Sequence, residues 1–286
     1  MRTSSELSII DVLTKSSQFL VRHGVPNSKL DAEWLVSHVL KCKRIELYLR
    51  YEELLSEEIL NQIRALVLQR AKRVPLQHIL GTVQFAGLSL NCDSRALVPR
   101  NETEFFVDLL LQHLSSEFDG TIVDLGTGSG AIILGLCALM PKAKGFGLDN
   151  SEAALSLVRE NVIKSSMSQR VKVLRFNWYK DDLAIKPINL IVSNPPYLSQ
   201  YDWLDADPEV KEYDPKCALV ASNGGMADIE KIVEMAGEIL EPTNYLALEF
   251  GDSQSKEIAQ LLKDNFECKF FNDQYSVKRF VLACKK

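Results

Sequence analysis

Apolar positions recur every three or four residues along the first part of the chain. After about residue 120 they give way to short apolar runs that alternate with helical stretches. Ile9, Val12, Leu13 and Leu20 share one side of a helix, and Leu30 to Leu40 repeats the spacing. A third helix is expected from about Glu57 to Arg73, with Ile59, Leu60, Ile63, Leu66 and Val67 inward and Ser56 as its N-cap. Gly24 with Pro26-Asn27, and then Lys41 to Arg50, separate these helices. Residues 1–80 are therefore expected to form a small helical-bundle domain made of helices only. Residues 83–92 fit a β-hairpin turning at Ala86-Gly87, which makes 81–95 the expected linker between domains.

Beyond it, candidate strands fall at 121–125, 143–148, 171–175, 188–193, 243–249, 266–271 and 278–284. Helical runs at 130–140, 151–165, 227–240 and 253–264 lie between them. Such alternation predicts an α/β domain over 96–286, a mostly parallel sheet covered on both faces. The last two strands have no helix between them and should form an antiparallel pair at the sheet edge.

Two motifs sit at strand ends. Asn194-Pro195-Pro196-Tyr197 follows the apolar run Ile188 to Ser193. Each proline fixes its own φ, and the residue before a proline is pushed to extended geometry, so Asn194 should stand on a stiff platform at a strand tip. Its side-chain carbonyl and the Pro195 backbone carbonyl would then be neighbouring acceptors for a planar NH2 group, with Tyr197 as a cover. The plain alternative is a strand followed by a proline turn. The second motif, Gly126-Thr127-Gly128-Ser129-Gly130, joins the strand Thr121–Leu125 to a helix. Glycines there permit a tight turn and close approach of a ligand to the backbone. The next strand ends at Asp149, where a carboxylate can accept from both hydroxyls of a ribose. A dinucleotide fingerprint reads G-x-G-x-x-G, whereas this loop reads G-x-G-x-G. With Asp124 upstream and Asn-Pro-Pro-Tyr on the fourth strand, that spacing favours S-adenosylmethionine over NAD. The first and fourth strands should be neighbours where the strand order reverses, facing the two motifs across one crevice.

Composition narrows the class. The chain has 286 residues, 46% hydrophobic, enough for two cored domains. Residues 1–90 carry twelve Lys and Arg against nine Asp and Glu, net +3, and the remainder is net −8. That acidic balance disfavours stable nucleic-acid binding and leaves room for an acidic or RNA-associated partner at the front. The six cysteines and four histidines have no metal-type spacing, so no metal is expected, and reduced thiols in a cytoplasmic protein are. No signal-peptide pattern or apolar run of membrane-spanning length is present.

These blocks together resemble the HemK/PrmC protein-(glutamine-N5) methyltransferases, over essentially the whole chain. Val98-Pro99-Arg100-Asn101-Glu102-Thr103-Glu104 is similar to the family's V-P-R-P-E-T-E, and Asp124 to Gly130 to its D-L-G-T-G-S-G. Gly147-Leu148-Asp149-Asn150-Ser151, Asn194 to Tyr197, and Asp214-Pro215-Lys216-Cys217-Ala218-Leu219 with Gly224-Gly225 supply the rest. Asn101 stands where the family has proline, and Asp214 where it has glutamate. The resemblance implies a class I S-adenosylmethionine-dependent methyltransferase, with a Rossmann-like seven-stranded sheet. Its implied substrate is the glutamine of the Gly-Gly-Gln loop of class-1 peptide chain release factors. It further implies that Gly126, Thr127, Gly128, Ser129 and Gly130 line the methionine part of the cofactor, with Asp149 at the ribose and Trp178 at the adenine. Asn194, Pro195, Pro196 and Tyr197 would be the catalytic motif, Asn194 touching cofactor and substrate alike.

Several residues keep a second reading. Trp178 fits a buried structural role, Thr103 a helix N-cap before Phe105-Phe106-Val107, Arg100 a plain surface charge, and Glu249 a structural hydrogen bond. His113 is read as a helix-surface residue and not a base. Asn-Pro-Pro-Tyr also serves adenine-N6 methyltransferases, so an enzyme acting on a nucleic-acid amine is the alternative, and a non-catalytic cofactor-binding module a further one. The helical front is expected to recognise the protein substrate.

Overall fold

The computed structural model describes residues 7–286, which separate into two compact units, one ending at Gly81 and the other comprising Thr82–Lys286. The expectation for residues 1–80 falls in part on residues 1–6, outside the described residues.

The first unit contains β1 (Leu7–Ser8), α1 (Ile9–Arg22), α2 (Ser28–Leu40), α3 (Arg44–Leu49), β2 (Leu54–Leu55), α4 (Glu57–Ala71) and α5 (Leu76–Leu80). Ile9, Leu20, Leu35, Leu47 and Ile63 meet in its core. Ser56 caps α4 as expected, its hydroxyl accepting from Ile59 N–H. Inside the bundle Arg70 Nε donates to Asp31 Oδ2 at 2.7 Å. Two details correct the helices-only reading. Leu7–Ser8 pairs antiparallel with Leu54–Leu55, a ladder too short to leave a period-two signal. The presumed spacer Lys41 to Arg50 holds α3, a six-residue helix whose Glu46 accepts from Lys43 N–H.

The second unit opens with the hairpin β3 (Thr82–Phe85) and β4 (Leu88–Asn91), which turns through Ala86 and Gly87. Phe85 and Leu90 are buried in this unit's core, so the hairpin is built into it. There follow α6 (Asn101–Leu114), β5 (Thr121–Leu125), α7 (Ala131–Leu139), β6 (Lys144–Asp149), α8 (Glu152–Lys164), β7 (Val171–Arg175) and β8 (Leu190–Ser193). The short helices α9 (Gln200–Asp205) and α10 (Pro208–Tyr213) precede α11 (Ala227–Ile239), β9 (Tyr245–Glu249), α12 (Ser255–Leu262), β10 (Phe266–Asn272) and β11 (Lys278–Lys285).

The sheet runs β10-β11-β9-β8-β5-β6-β7, parallel except for β11, which is antiparallel to both its neighbours. Alternate residues feed opposite layers, as strand geometry requires. Ile122 of β5 and Leu190 and Val192 of β8 join Phe106, Ile133 and Val158 on one face. Val123, Leu125 and Ile191 join Ile229, Ile232, Ile258 and Leu262 on the other. β5 and β8 are adjacent, and the chain leaves β5 towards β6 on one side and reaches β8 on the other. The carboxyl ends of these two strands therefore flank the point where strand order reverses, where such sheets hold ligands.

Candidate active site

A cleft with a cavity volume of about 190 Å³ opens at that point. Gly126, Thr127, Gly128 and Ser129 line it, together with Asp149, Trp178, Asn194 and Pro196. Of the residues singled out in the sequence, Gly130, Pro195 and Tyr197 do not line it. The loop 95–100, Thr103, Cys217 and Asp228 do.

The glycine loop is held by its neighbours. Gly126 N–H and Thr127 N–H both donate to Leu148 O, at 2.8 and 2.9 Å, which folds the loop over the end of β6. Thr127 Oγ1 donates to Asp124 Oδ2 at 2.7 Å. Asp124 is buried, and burial pushes its carboxyl up to about 7. Gly130 begins α7 at φ 83°, and a Cβ there would stand 2.5 Å from Val158 Cγ2. Glycine is thus required for both backbone and space.

Asp149 accepts from Gly128 N–H at 3.0 Å and Ser151 N–H at 2.9 Å, one on each oxygen. Burial raises its carboxyl above the usual range, against those bonds. Each carboxylate oxygen keeps acceptor capacity for a further donor. Trp178 packs partly buried beside the loop; a Cβ on Gly126 would sit 3.5 Å from its Cη2. Its Nε1 donates to Asp228 Oδ1 at 3.0 Å, and Tyr179 Oη donates to the same oxygen at 2.8 Å. Both readings of Trp178 meet here, since the ring is packed and also walls the cleft.

On the opposite wall, Asn194 Nδ2 donates to Thr103 Oγ1 at 3.2 Å, and Thr103 Oγ1 donates to Glu249 Oε2 at 2.8 Å. Thr103 is not the N-cap of α6. Arg100 holds that position, and Thr103 lies inside the first turn, facing the carboxyl end of β9. Glu249 is 2% exposed, and burial pushes its carboxyl up to about 7, opposed by the Thr103 bond, the Arg279 charge and a hydrogen bond from the Asn194 side chain. The Tyr197 ring packs with the apolar layer and faces Gly251. Its carbonyl accepts from Gln254 Nε2 at 3.0 Å, whose Oε1 accepts from Gly251 N–H. Burial raises the Tyr197 hydroxyl well above its ordinary range.

The two departures from the family pattern are accommodated. Asn101 is the first residue of α6, where proline is favoured but not required. Asp214 accepts from Arg100 Nη2 at 2.6 Å and from Val98 N–H at 3.3 Å, tying the segment after Asn-Pro-Pro-Tyr to the loop before α6. Arg100 is thus no plain surface charge. His113 stays on the outer face of α6, bonded to Leu109 O and edge-on to Phe271.

Sequence reasoning missed Asp228, Gln254 and Asn161. Asn161 is fully buried in α8, accepts from Asn91 N–H at 2.6 Å, and donates to Asn91 O and Ser129 O. Its partners lie 70 and 32 positions away, and a single asparagine within a helical pattern carries no mark of such a role.

Residues 11–81 match the PrmC N-terminal domain and residues 100–206 the methyltransferase small domain. Proteins named release factor glutamine methyltransferase are similar over most of the chain. That of Deinococcus radiodurans is 37% identical, covering 97% of this chain and 98% of its own length. That of Fusobacterium nucleatum is 37% identical over 90% of this chain and 72% of its own length, and that of Geobacter sulfurreducens 34% over 93% and 92%. Among solved structures, the hMettl16 catalytic domain in complex with the MAT2A 3'UTR hairpin 6 superposes with a TM-score of 0.56 at 17% identity, over 77% of this chain and 81% of that one. A methyltransferase from Pyrococcus furiosus gives 0.51 at 17% identity, over 70% and 89%. At that identity the likeness is one of fold, the seven-stranded α/β methyltransferase sheet expected from the sequence.

Proposed function

The chain belongs to the release factor glutamine methyltransferase family, and from that premise we propose that its cleft methylates the glutamine side-chain nitrogen in the Gly-Gly-Gln loop of class-1 peptide chain release factors. The methyl donor of the family's chemistry is S-adenosylmethionine, which supplies an electrophilic methyl on a sulfonium. The observation that carries the reading is one cleft holding both the glycine loop with Asp149 and, across it, Asn194 on its proline platform.

The residues present suit the donor. The Asp149 carboxylate has acceptor capacity left for a ribose diol, the Trp178 indole offers a plane for adenine, and Gly126 to Ser129 line one wall. Gly130 shapes the loop from behind. On the other wall the Asn194 side-chain oxygen accepts from the target amide, whereas Pro195, whose carbonyl the sequence offered as a second acceptor, is buried outside the cleft lining. An amide nitrogen is a poor nucleophile because its lone pair is delocalised. The Asn194 acceptor gains strength as the nitrogen becomes positive, and orientation supplies the rest. The proton leaves after methyl transfer, so no strong base is needed. Pro196 walls the site, and Tyr197 braces the motif through its packed ring and anchored carbonyl. The helical unit holds the release factor, and a cytoplasmic location goes with such a substrate. Among the described residues no helix is long and apolar enough to cross a membrane. An adenine amine would need similar acceptors, but the net −8 of residues 91–286 gives little support for phosphate binding.

The test is mass spectrometry of a release-factor fragment carrying Gly-Gly-Gln after incubation with the protein and S-adenosylmethionine. A gain of about 14 Da on that glutamine side chain is expected, the mass of one methyl group replacing hydrogen. Cofactor bound with no gain on the fragment refutes the reading.

A further inference from the structure

An asparagine carboxamide has two ends of similar size and opposite character, one accepting and one donating. The chemistry above works with only one of them facing the substrate. Were the NH2 turned outward, Asn194 would present donors to a donor. Nothing in the Asn194 backbone selects between the two, so the choice falls to whatever grips the far end of the side chain.

The chain of contacts behind Asn194 makes that choice. Glu249 is buried at the carboxyl end of β9, and its Oε2 accepts the Thr103 hydroxyl at 2.8 Å. With the Glu249 carboxyl ionised it can only accept, and the one hydrogen of the threonine hydroxyl goes to it. Thr103 Oγ1 can then only accept from Asn194, at 3.2 Å, and only the NH2 end of the carboxamide can give. Thr103 is itself 5% exposed in α6. The Asn194 NH2 end thus faces two acceptors from separate elements, the Thr103 oxygen on α6 and the Glu249 carboxylate on β9, which takes a side-chain hydrogen bond from Asn194 as well as from Thr103. We propose that Thr103, held by Glu249, is the positioning residue that turns the Asn194 carbonyl oxygen towards the substrate amide. The inference rests on the glutamine-methylation reading and deepens it. The buried carboxylate is a selector of amide orientation and never touches the reactants.

Thr103→Val removes the hydroxyl at nearly constant shape, and Thr103→Ser restores it. Each is compared with wild type on the Gly-Gly-Gln fragment, with S-adenosylmethionine affinity measured by calorimetry. Thr103→Val is expected to lose about 100-fold in kcat, as for removal of one preorganised polar partner. Cofactor affinity should stay within about twofold, and Thr103→Ser should stay within about threefold of wild type in kcat. A second readout is specific to orientation. With the carboxamide free to turn its NH2 outward, a fragment carrying glutamate in place of the glutamine should inhibit Thr103→Val about tenfold better than it inhibits wild type. Thr103→Val turnover within about threefold of wild type, or an unchanged preference between the two fragments, overturns the proposal. Should Thr103→Val fail to bind cofactor, Glu249→Gln carries the test, with about a tenfold loss of kcat expected at unchanged affinity and full activity overturning it. A wild-type protein that binds cofactor yet leaves the fragment unmethylated removes the functional reading and this inference with it. An active wild type with an equally active Thr103→Val removes this inference alone.

Discussion

Gly224 and Gly225 are adjacent, and both occupy the left-handed region, at φ 63° and 94°. Their surroundings differ. A Cβ on Gly224 meets nothing within 4 Å, whereas one on Gly225 would lie 2.1 Å from the Tyr197 carbonyl oxygen and 2.9 Å from its carbon. Gly224→Ala should therefore cost only the left-handed penalty, about 1–2 kcal/mol. In a unit of this size, each kcal/mol lowers Tm by about 2–4 °C. Gly225→Ala adds a clash roughly 1 Å short of a normal carbon–oxygen contact of about 3.3 Å. The carbonyl cannot retreat freely, because Gln254 Nε2 grips it at 3.0 Å and Gln254 is fixed in turn by Gly251 N–H. The strain passes into Asn-Pro-Pro-Tyr, where a misplacement of about 1 Å is worth about 100-fold in rate. Turnover on the Gly-Gly-Gln fragment, cofactor affinity and Tm are measured for both variants. Gly224→Ala should keep its turnover. Gly225→Ala should lose about 100-fold in kcat while the glycine loop, on the other wall, still binds cofactor. Equal turnover by the two variants would refute the reasoning that this glycine seats the motif.

Asn194→Ala is expected to lower kcat by about 100-fold in the same assay while the protein still unfolds at its wild-type temperature. Asp228→Ala frees the Trp178 indole and the Tyr179 hydroxyl together, and calorimetry should find S-adenosylmethionine bound about tenfold more weakly, the equivalent of one net hydrogen bond. Stability should also depend on pH through Asp124. Its carboxyl lies near 7 when folded because of burial, and near 4 in an unfolded chain. Between those values the folded state holds a proton that the unfolded state has lost, so stability is greatest below about 4 and falls as pH rises towards 7. Urea unfolding between pH 5 and 8 should show Asp124→Asn losing less stability than wild type, and parallel curves would count against this assignment.

Much of the catalytic sheet was legible because its strands are apolar runs bounded by glycine, proline or charge. All seven begin and end within two residues of expectation, and the adjacency of β5 and β8 followed from the motifs they carry. Periodicity said little where elements are short. Helices α3, α9 and α10 have six residues each, too few for a repeat to declare itself. The loop, the acid and Asn194 were readable because their chemistry depends on local spacing. What positions them was not. Thr103 reaches Glu249 across 146 residues, Arg100 reaches Asp214 across 114, and Trp178 reaches Asp228 across 50. Each looked like a cap, a surface charge or a packed ring until the fold supplied its partner.

The place of β11 in the sheet bears on how the chain comes to be folded at all. It is the latest of the seven strands in sequence, yet it lies inside the sheet, zipped to β9 on one side and β10 on the other. Until Lys278–Lys285 is in place, β9 keeps one edge unpaired and β10 has no neighbour to attach to. An open edge of apolar residues such as Leu246 and Leu248 is an invitation to intermolecular pairing. A partly folded chain that has not yet seated β11 is therefore open to pairing with another chain along β9.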